Sequence, residues 1–200
     1  MKATIVYAHP YDRSFNFALY QQALRTCLER GVTTHCHDLY ADEFNPVLTK
    51  EELGKKPTTD ALVKRYTSEL LASDILVFVH PNWWGQPPAI LKGYIDRILR
   101  PPHAYDFSEN DSGGGLPIGK LAGKVGVVLN TSNTEEQREL TYFRDPLESI
   151  WKQCIFGFCG ITVSARRAFR IIADSTDADR IGWLREVDEL LGNVIRGKAT

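Results

Sequence analysis

Residues 3–16 read ATIVYAHPYDRSFN, and this stretch decides the architecture. Residues 3–8 are apolar without a period-two alternation, as suits a strand covered on both faces rather than one with a wet side. His9-Pro10 ends the run, and Ser14 stands at the N-cap of a helix whose apolar positions Phe15, Ala18, Leu19, Ala23, Leu24 and Leu28 recur at helical spacing up to Gly31. The same strand-to-helix unit recurs along the chain. Strands are expected at 32–39, 75–79, 125–129 and 160–168, and helices at 59–72, 89–99, 146–156 and 177–195. The 32–39 segment is the least apolar of the strands and belongs nearer an edge. A long loop is expected through Gly113, Gly114 and Gly115. Five strands alternating with five helices give a doubly wound, mostly parallel sheet with helices on both faces, in the order 2-1-3-4-5. Ligands bind such sheets at the carboxyl ends, where the winding reverses between the first and third strands.

Composition narrows the function. Two hundred residues suffice for one domain spanning 1–200. Twenty-four basic against 25 acidic residues leave no polybasic footprint for nucleic acid or an anionic membrane. The longest apolar runs are far short of the roughly 20 residues that cross a bilayer, and residues 1–8 do not match a secretion signal. A cytoplasmic protein is expected. Cys27, Cys36, Cys154 and Cys159 form no C-x-x-C pair and read as reduced thiols. His35 and His37 bracket Cys36 on one face of a strand without further ligands, so a half-exposed strand is expected there and no metal site.

Three loops converge on the carboxyl edge. The first, 9–16, brings His9, Arg13, Ser14, Phe15 and Asn16 to a helix N-terminus, whose free N–H groups and positive dipole end suit a phosphate. Neither G-x-G-x-x-G nor G-x-x-x-x-G-K-[ST] is present, so a single phosphate ester fits better than a dinucleotide or a nucleoside triphosphate. Ser14 could equally serve only as a cap. The second loop, Pro81, Asn82, Trp83, Trp84 and Gly85, places two aromatics beside that pocket, as a flat heteroaromatic ligand such as a flavin requires. The alternative buries one tryptophan in the core and lays the other over a helix end. The third loop, Asn130, Thr131, Ser132, Asn133 and Thr134, offers short polar groups to a carbonyl edge.

The segments AHPYDRSFNFA, DLYADEFNPVLT and PNWWGQPPAILKGYIDRIL, followed by HAYDF, GKLAGK and FGFCGI in the same order, resemble the quinone reductase and NAD(P)H dehydrogenase family of flavodoxin-like flavoproteins. That family includes small bacterial reductases that act beside potassium-efflux systems. The resemblance implies a flavodoxin-like fold and a homodimer that binds FMN, or alternatively FAD, and reduces quinones with NADH or NADPH by a ping-pong, two-electron exchange. It implies that His9, Ser14, Phe15 and Asn16 surround the flavin phosphate, that Pro81, Asn82, Trp83 and Trp84 line the ring, and that 130–134 meet its pyrimidine edge. The chain departs from the family pattern at 131–134, T-S-N-T in place of T-T-G-G. The family's Tyr and His pair has no clear counterpart, although Tyr142 lies nearby. His80 and His103 each terminate an element and are read as structural.

Two other readings share the fold. An electron carrier usually presents an acidic docking face, against which a net charge of −1 argues. A regulatory flavoprotein, accessory to a membrane transporter of the potassium-efflux kind, is the other. The apolar Trp83, Trp84, the 101–107 segment and the Tyr142-Phe143 pair are expected at one rim, as an interface with a second copy of the chain.

Overall fold

The computed structural model describes residues 1–109, 111 and 114–199. The main sheet contains β1 (Lys2–Tyr7), β2 (Thr33–Asp38), β3 (Ile75–Pro81), β6 (Val125–Thr131) and β7 (Thr162–Phe169). They pair in parallel in the order β2-β1-β3-β6-β7, the expected 2-1-3-4-5 arrangement. A two-stranded antiparallel ladder, β4 (Tyr105–Asp106) with β5 (Ile118–Gly119), lies outside it, within the stretch expected to be a loop. Gly113 of that stretch falls outside the described residues.

The strands alternate between two apolar layers. Ile5, Tyr7, Val77, Val79 and Leu129 face α1 (Phe15–Glu29) and the last helix, Asp177–Ala199, while Val6, Leu76, Phe78 and Val128 face α2 (Ala61–Ala72) and α3 (Ala89–Ile98). Every residue of β3 is buried. Side chains of this size each gain about 1.5–3 kcal/mol on burial, so the two layers dominate stability. The close approach of α3 to the preceding segment depends on Gly93, where a Cβ would lie 2.2 Å from the Pro46 carbonyl oxygen.

β3 and β6 each run two residues beyond the expected end, so that Pro81 is in register with Thr131. Both stay paired because they flank each other at the sheet centre. The helix expected over 146–156 is instead one α-helical turn, Pro146–Ser149, followed by a π-helical run, Ile150–Gly157, that turns Trp151 and Phe156 into the core. We number the short helix Glu136–Arg138 as α4, Pro146–Ser149 as α5 and Asp177–Ala199 as α6.

β2 lies at the sheet edge, and His35 and His37 share a face as expected, both reaching Glu69. His37 is fully buried rather than half-exposed. Burial pushes its pKa down to about 3. The neutral ring stacks on Tyr66, accepts a hydrogen bond at Nδ1 from the Tyr94 hydroxyl (2.9 Å) and donates from Nε2 to Glu69 (2.8 Å).

The connection between β2 and α2 is fastened by a buried ion pair. Arg97 donates from Nε and Nη2 to both oxygens of Glu52, and from Nη1 to the Asn45 carbonyl. Burial disfavours the Glu52 carboxylate, but the hydrogen bonds from Arg97, Thr58 and the Thr49 amide outweigh it and bring the pKa down to about 2 from the usual 4.5. The folded state therefore holds this carboxylate ionised where the unfolded chain protonates it. The stabilisation is complete above about pH 4.5 and is lost as pH falls toward about 2. Glu52→Gln should cost about 3–5 kcal/mol at neutral pH, as expected for a buried pair losing one partner. Urea titrations across this acid range should show a shallower pH dependence in the variant than in the parent chain.

Candidate functional site

A cavity of about 1020 Å³ opens at the carboxyl ends of β1, β3 and β6. Three connections reach it, each leaving a strand in a different direction at the point where the winding reverses. Of the residues expected there, His9, Arg13, Ser14, Phe15, Asn16, Pro81, Asn82, Trp83, Trp84, Gly85, Thr131, Ser132, Asn133 and Thr134 all line it. Asn130 does not. It is the sixth residue of β6 rather than a loop residue, is fully buried, and accepts a hydrogen bond from Arg166 Nε at 3.1 Å.

The first wall is the entry to α1. Ser14 caps the helix by accepting from the Phe17 amide at 3.1 Å, and the Tyr7 hydroxyl lies 3.4 Å from the same oxygen. Ser14 is thus the helix cap, and it also lines the cavity. The amides of Phe15 and Asn16 sit in the first helical turn, where no intrahelical acceptor exists. Asn16 is buried and donates from Nδ2 to Thr131 Oγ1 at 2.7 Å, tying α1 to the end of β6. Its Oδ1 is buried with no partner among the described residues. His9 Nδ1 lies 3.1 Å from the Tyr11 amide and 3.3 Å from the Tyr11 carbonyl, and burial lowers its pKa below the usual histidine value against the opposing backbone contact.

The second wall is a tight turn. Trp83 and Gln86 exchange backbone hydrogen bonds, and the two residues between them both have positive φ, +58° at Trp84 and +70° at Gly85. That is the two-residue hairpin geometry favoured by Asn-Gly. A tryptophan in the left-handed region is strained by about 1–3 kcal/mol. Asn82 holds the turn by accepting from the Gly85 amide at 2.9 Å, and Gly85 packs where a Cβ would stand 2.6 Å from Pro146 Cγ. Neither tryptophan is in the core: Trp83 is 41% exposed and Trp84 fully exposed, so the alternative that buried one of them is wrong.

The third wall combines Thr131, Ser132, Asn133 and Thr134 with a π-helical turn, Glu139–Phe143. Arg144 and Asp145 follow it, both in the left-handed region. Arg166 fixes this corner from beneath, donating from Nη1 to Asp145 (2.7 Å) and Glu148 (3.0 Å) and from Nε to Asn130. Glu139 is a buried carboxylate in the wall, 3.4 Å from Asn82 Nδ2. Tyr142 lines the cavity and is 78% exposed.

Several lining residues escaped the sequence reading, among them Tyr11, Arg138, Glu139, Pro146, Ile172 and Arg180. Arg180, near the start of α6, donates to Ser175 Oγ and the Ile172 carbonyl. Nothing local in the sequence marks it, because only the fold carries the start of α6 to this edge. His80 lies outside the cavity, as expected. Burial lowers its pKa to about 4, and the neutral ring donates from Nδ1 to the Pro81 carbonyl and accepts from Trp151 Nε1.

A family model for the flavodoxin-like fold matches residues 1–186. The chain belongs to that family. It is 32% identical over 166 residues to a Haemophilus influenzae protein named "Uncharacterized NAD(P)H oxidoreductase", covering 80% of this chain and 79% of that protein. It is 30% identical over 191 residues to the Mus musculus "Ribosyldihydronicotinamide dehydrogenase [quinone]", covering 82% and 79%. Among solved structures, Smu.1420 from Streptococcus mutans superposes with a TM-score of 0.78 at 30% identity, over 96% of this chain and 100% of that one.

The corner at Arg144 and Asp145 depends on Arg166, whose side chain is 4% exposed. Arg166→Leu should lower stability by about 3–5 kcal/mol, because two carboxylates lose their buried counter-charge. Limited proteolysis should show faster cleavage within 136–145 in this variant than in the parent chain.

Proposed function

We propose that this protein is a flavin-dependent NAD(P)H oxidoreductase that reduces quinones or chemically similar acceptors, serving both substrates in turn at one site. The observation that carries the reading is the mixed lining of the cavity. Its lining combines the free amides of a helix N-terminus, Arg13 and Arg180 with the Trp83-Trp84 turn. An anionic group and a flat apolar ring are thereby accommodated side by side. The buried, unpartnered Asn16 Oδ1 at the cavity floor is a further group awaiting a donor. The names of the H. influenzae and mouse relatives point the same way.

When bound, a flavin supplies the two-electron chemistry, accepting a hydride equivalent from reduced nicotinamide and delivering it to the acceptor. The chain's own residues bind and orient. The Phe15 and Asn16 amides, the Ser14 hydroxyl and the Arg13 and Arg180 guanidiniums hold the phosphate. Trp83 and the Trp84 backbone border the ring, and 131–134 present hydroxyls and amides to its polar edge. His9, its pKa lowered by burial, borders the cavity beside them. A volume of about 1020 Å³ exceeds what one planar ligand fills, which leaves room for donor and acceptor to alternate. FMN fits better than FAD, since no lining residue comes from the 46–70 segment where an adenosine would need a wall. Among the described residues no helix is long and apolar enough to cross a membrane. The four cysteines are all free, in keeping with a cytoplasmic protein.

Steady-state oxidation of NADH or NADPH by a quinone tests the activity, and mass spectrometry of the heat-released cofactor identifies the flavin. Ser14→Ala combined with Asn16→Ala should weaken flavin binding by about 1–3 kcal/mol, the usual cost of losing hydrogen bonds to a charged group. A folded double variant that titrates flavin with parental affinity overturns the assignment.

The cavity is lined by Trp83, Trp84, Tyr142 and Phe143, all exposed, and exposed apolar groups gathered at one site mark an interaction surface. The active unit is accordingly a homodimer in which the partner covers this rim; the 101–107 segment, expected at the same rim, does not line this cavity, and Pro101, His103 and Tyr105 line the two others instead. Sedimentation at micromolar concentration should give a dimer mass, and a fully active monomer overturns this part of the reading.

A further inference from the structure

A second cavity, of about 310 Å³, lies between α2 and the end of α3 and shares no lining residue with the first. Its walls bring together Lys56, Lys64, Arg97, Arg100 and His103, and no Asp or Glu lines it. Arg97 is already neutralised by Glu52 and Asp60. Arg100 is different. It is only 9% exposed, and its Nη2 donates to two neutral acceptors, the Gly54 and Lys56 carbonyls, each at 3.0 Å. No described carboxylate pairs with Arg100, Lys56 or Lys64. Glu52 and Asp96 border the neighbouring cavity that Arg100 also lines, but neither is within ion-pair distance of it, and a buried guanidinium without a direct counter-charge is costly. The remaining lining is apolar at Pro57, Leu71, Ile98 and Pro101, with the hydroxyls of Thr67 and Ser68 between the cations.

We propose that this pocket binds a phosphomonoester, with the phosphate against Arg100, Lys56 and Lys64 and a compact apolar body against Leu71, Ile98 and Pro101. Two features select the class. Three cations without an acid match the −1.5 to −2 charge of about neutral-pH phosphate better than a single carboxylate charge. The apolar walls favour an ester over the free ion. The pocket shares no lining residue with the larger cavity, and the site stands independently of the flavin reading.

The test is calorimetric titration of flavin-loaded protein with phenyl phosphate and, separately, with inorganic phosphate, so that the larger cavity's phosphate cradle is already filled. Saturable binding at one site per chain is expected, tighter for phenyl phosphate. Arg100→Gln should abolish it. Because Arg100 also holds two carbonyls, the exposed Lys64→Gln serves as the second variant and should weaken binding about tenfold, as loss of a charged hydrogen bond does. Arg185→Gln, exposed and outside both cavities, should leave it unchanged. No saturable binding at millimolar ligand, or parental affinity in Lys64→Gln, overturns the site. Equal affinity for the two probes overturns the ester in favour of free phosphate.

Discussion

The structure depends on the burial of β3. Its seven residues lie at the centre of a parallel sheet, with β1 on one side and β6 on the other, and none reaches solvent. Such a strand can satisfy its backbone only through both neighbours, and its side chains only if helices cover both faces. Parallel neighbours require crossovers, and right-handed crossovers place α1 and α6 on one face and α2 and α3 on the other. The chain must then wind outward from β1 in one direction and from β3 in the opposite one. Connections leaving those strands diverge, and the cavity is the space they cannot fill.

What the cavity can hold follows from which polar groups border it. The first turn of α1 contributes amides that the helix itself cannot use, and Arg13, Arg138 and Arg180 add cationic charge. Burial lowers the His9 pKa, against the backbone contact with Tyr11, which favours the protonated ring. The tryptophan turn is apolar and strained. Trp84 is kept in a left-handed conformation by the hydrogen bond from Gly85 to Asn82 and by the packing of Gly85 on Pro146. The turn thus projects an indole into solvent at the mouth of an otherwise polar cleft, the reverse of what apolar burial alone would produce.

Buried polar networks hold these walls in place. Arg166 joins Asn130 at the end of β6 to Asp145 at the corner after the π-helical turn, and Trp151 joins α5's extension to His80 beneath Pro81. The Arg166 network leaves Asn130 Nδ2 and Asp145 Oδ1 without partners among the described residues. A group left unmatched in this way costs about 1–3 kcal/mol, so the corner is positioned at some expense to stability. The same pattern recurs at Glu52 and Arg97, where an ion pair fixes a connection that has little apolar side chain of its own to bury.

The sequence by itself determined the doubly wound sheet, because apolar runs such as 75–79 are too continuous for any strand with a wet face, and because Ser14 and Pro88 mark helix starts through local backbone chemistry. It also placed three loops at one edge, which follows from the winding alone. Local pattern did not show where β3 and β6 end, since Pro81 and Thr131 are held in the sheet by each other rather than by their own propensity. Nor did it show that Asn130 turns away from the cavity, that both tryptophans stay outside the core, or that Arg180 and Glu139 join the site. Those outcomes depend on side-chain alternation across a register set by neighbouring strands, and on contacts such as Gly85 with Pro146 that span some sixty residues. Local chemistry fixes which elements form, whereas the site is assembled by packing between residues that are distant along the chain, and only the tertiary structure decides that.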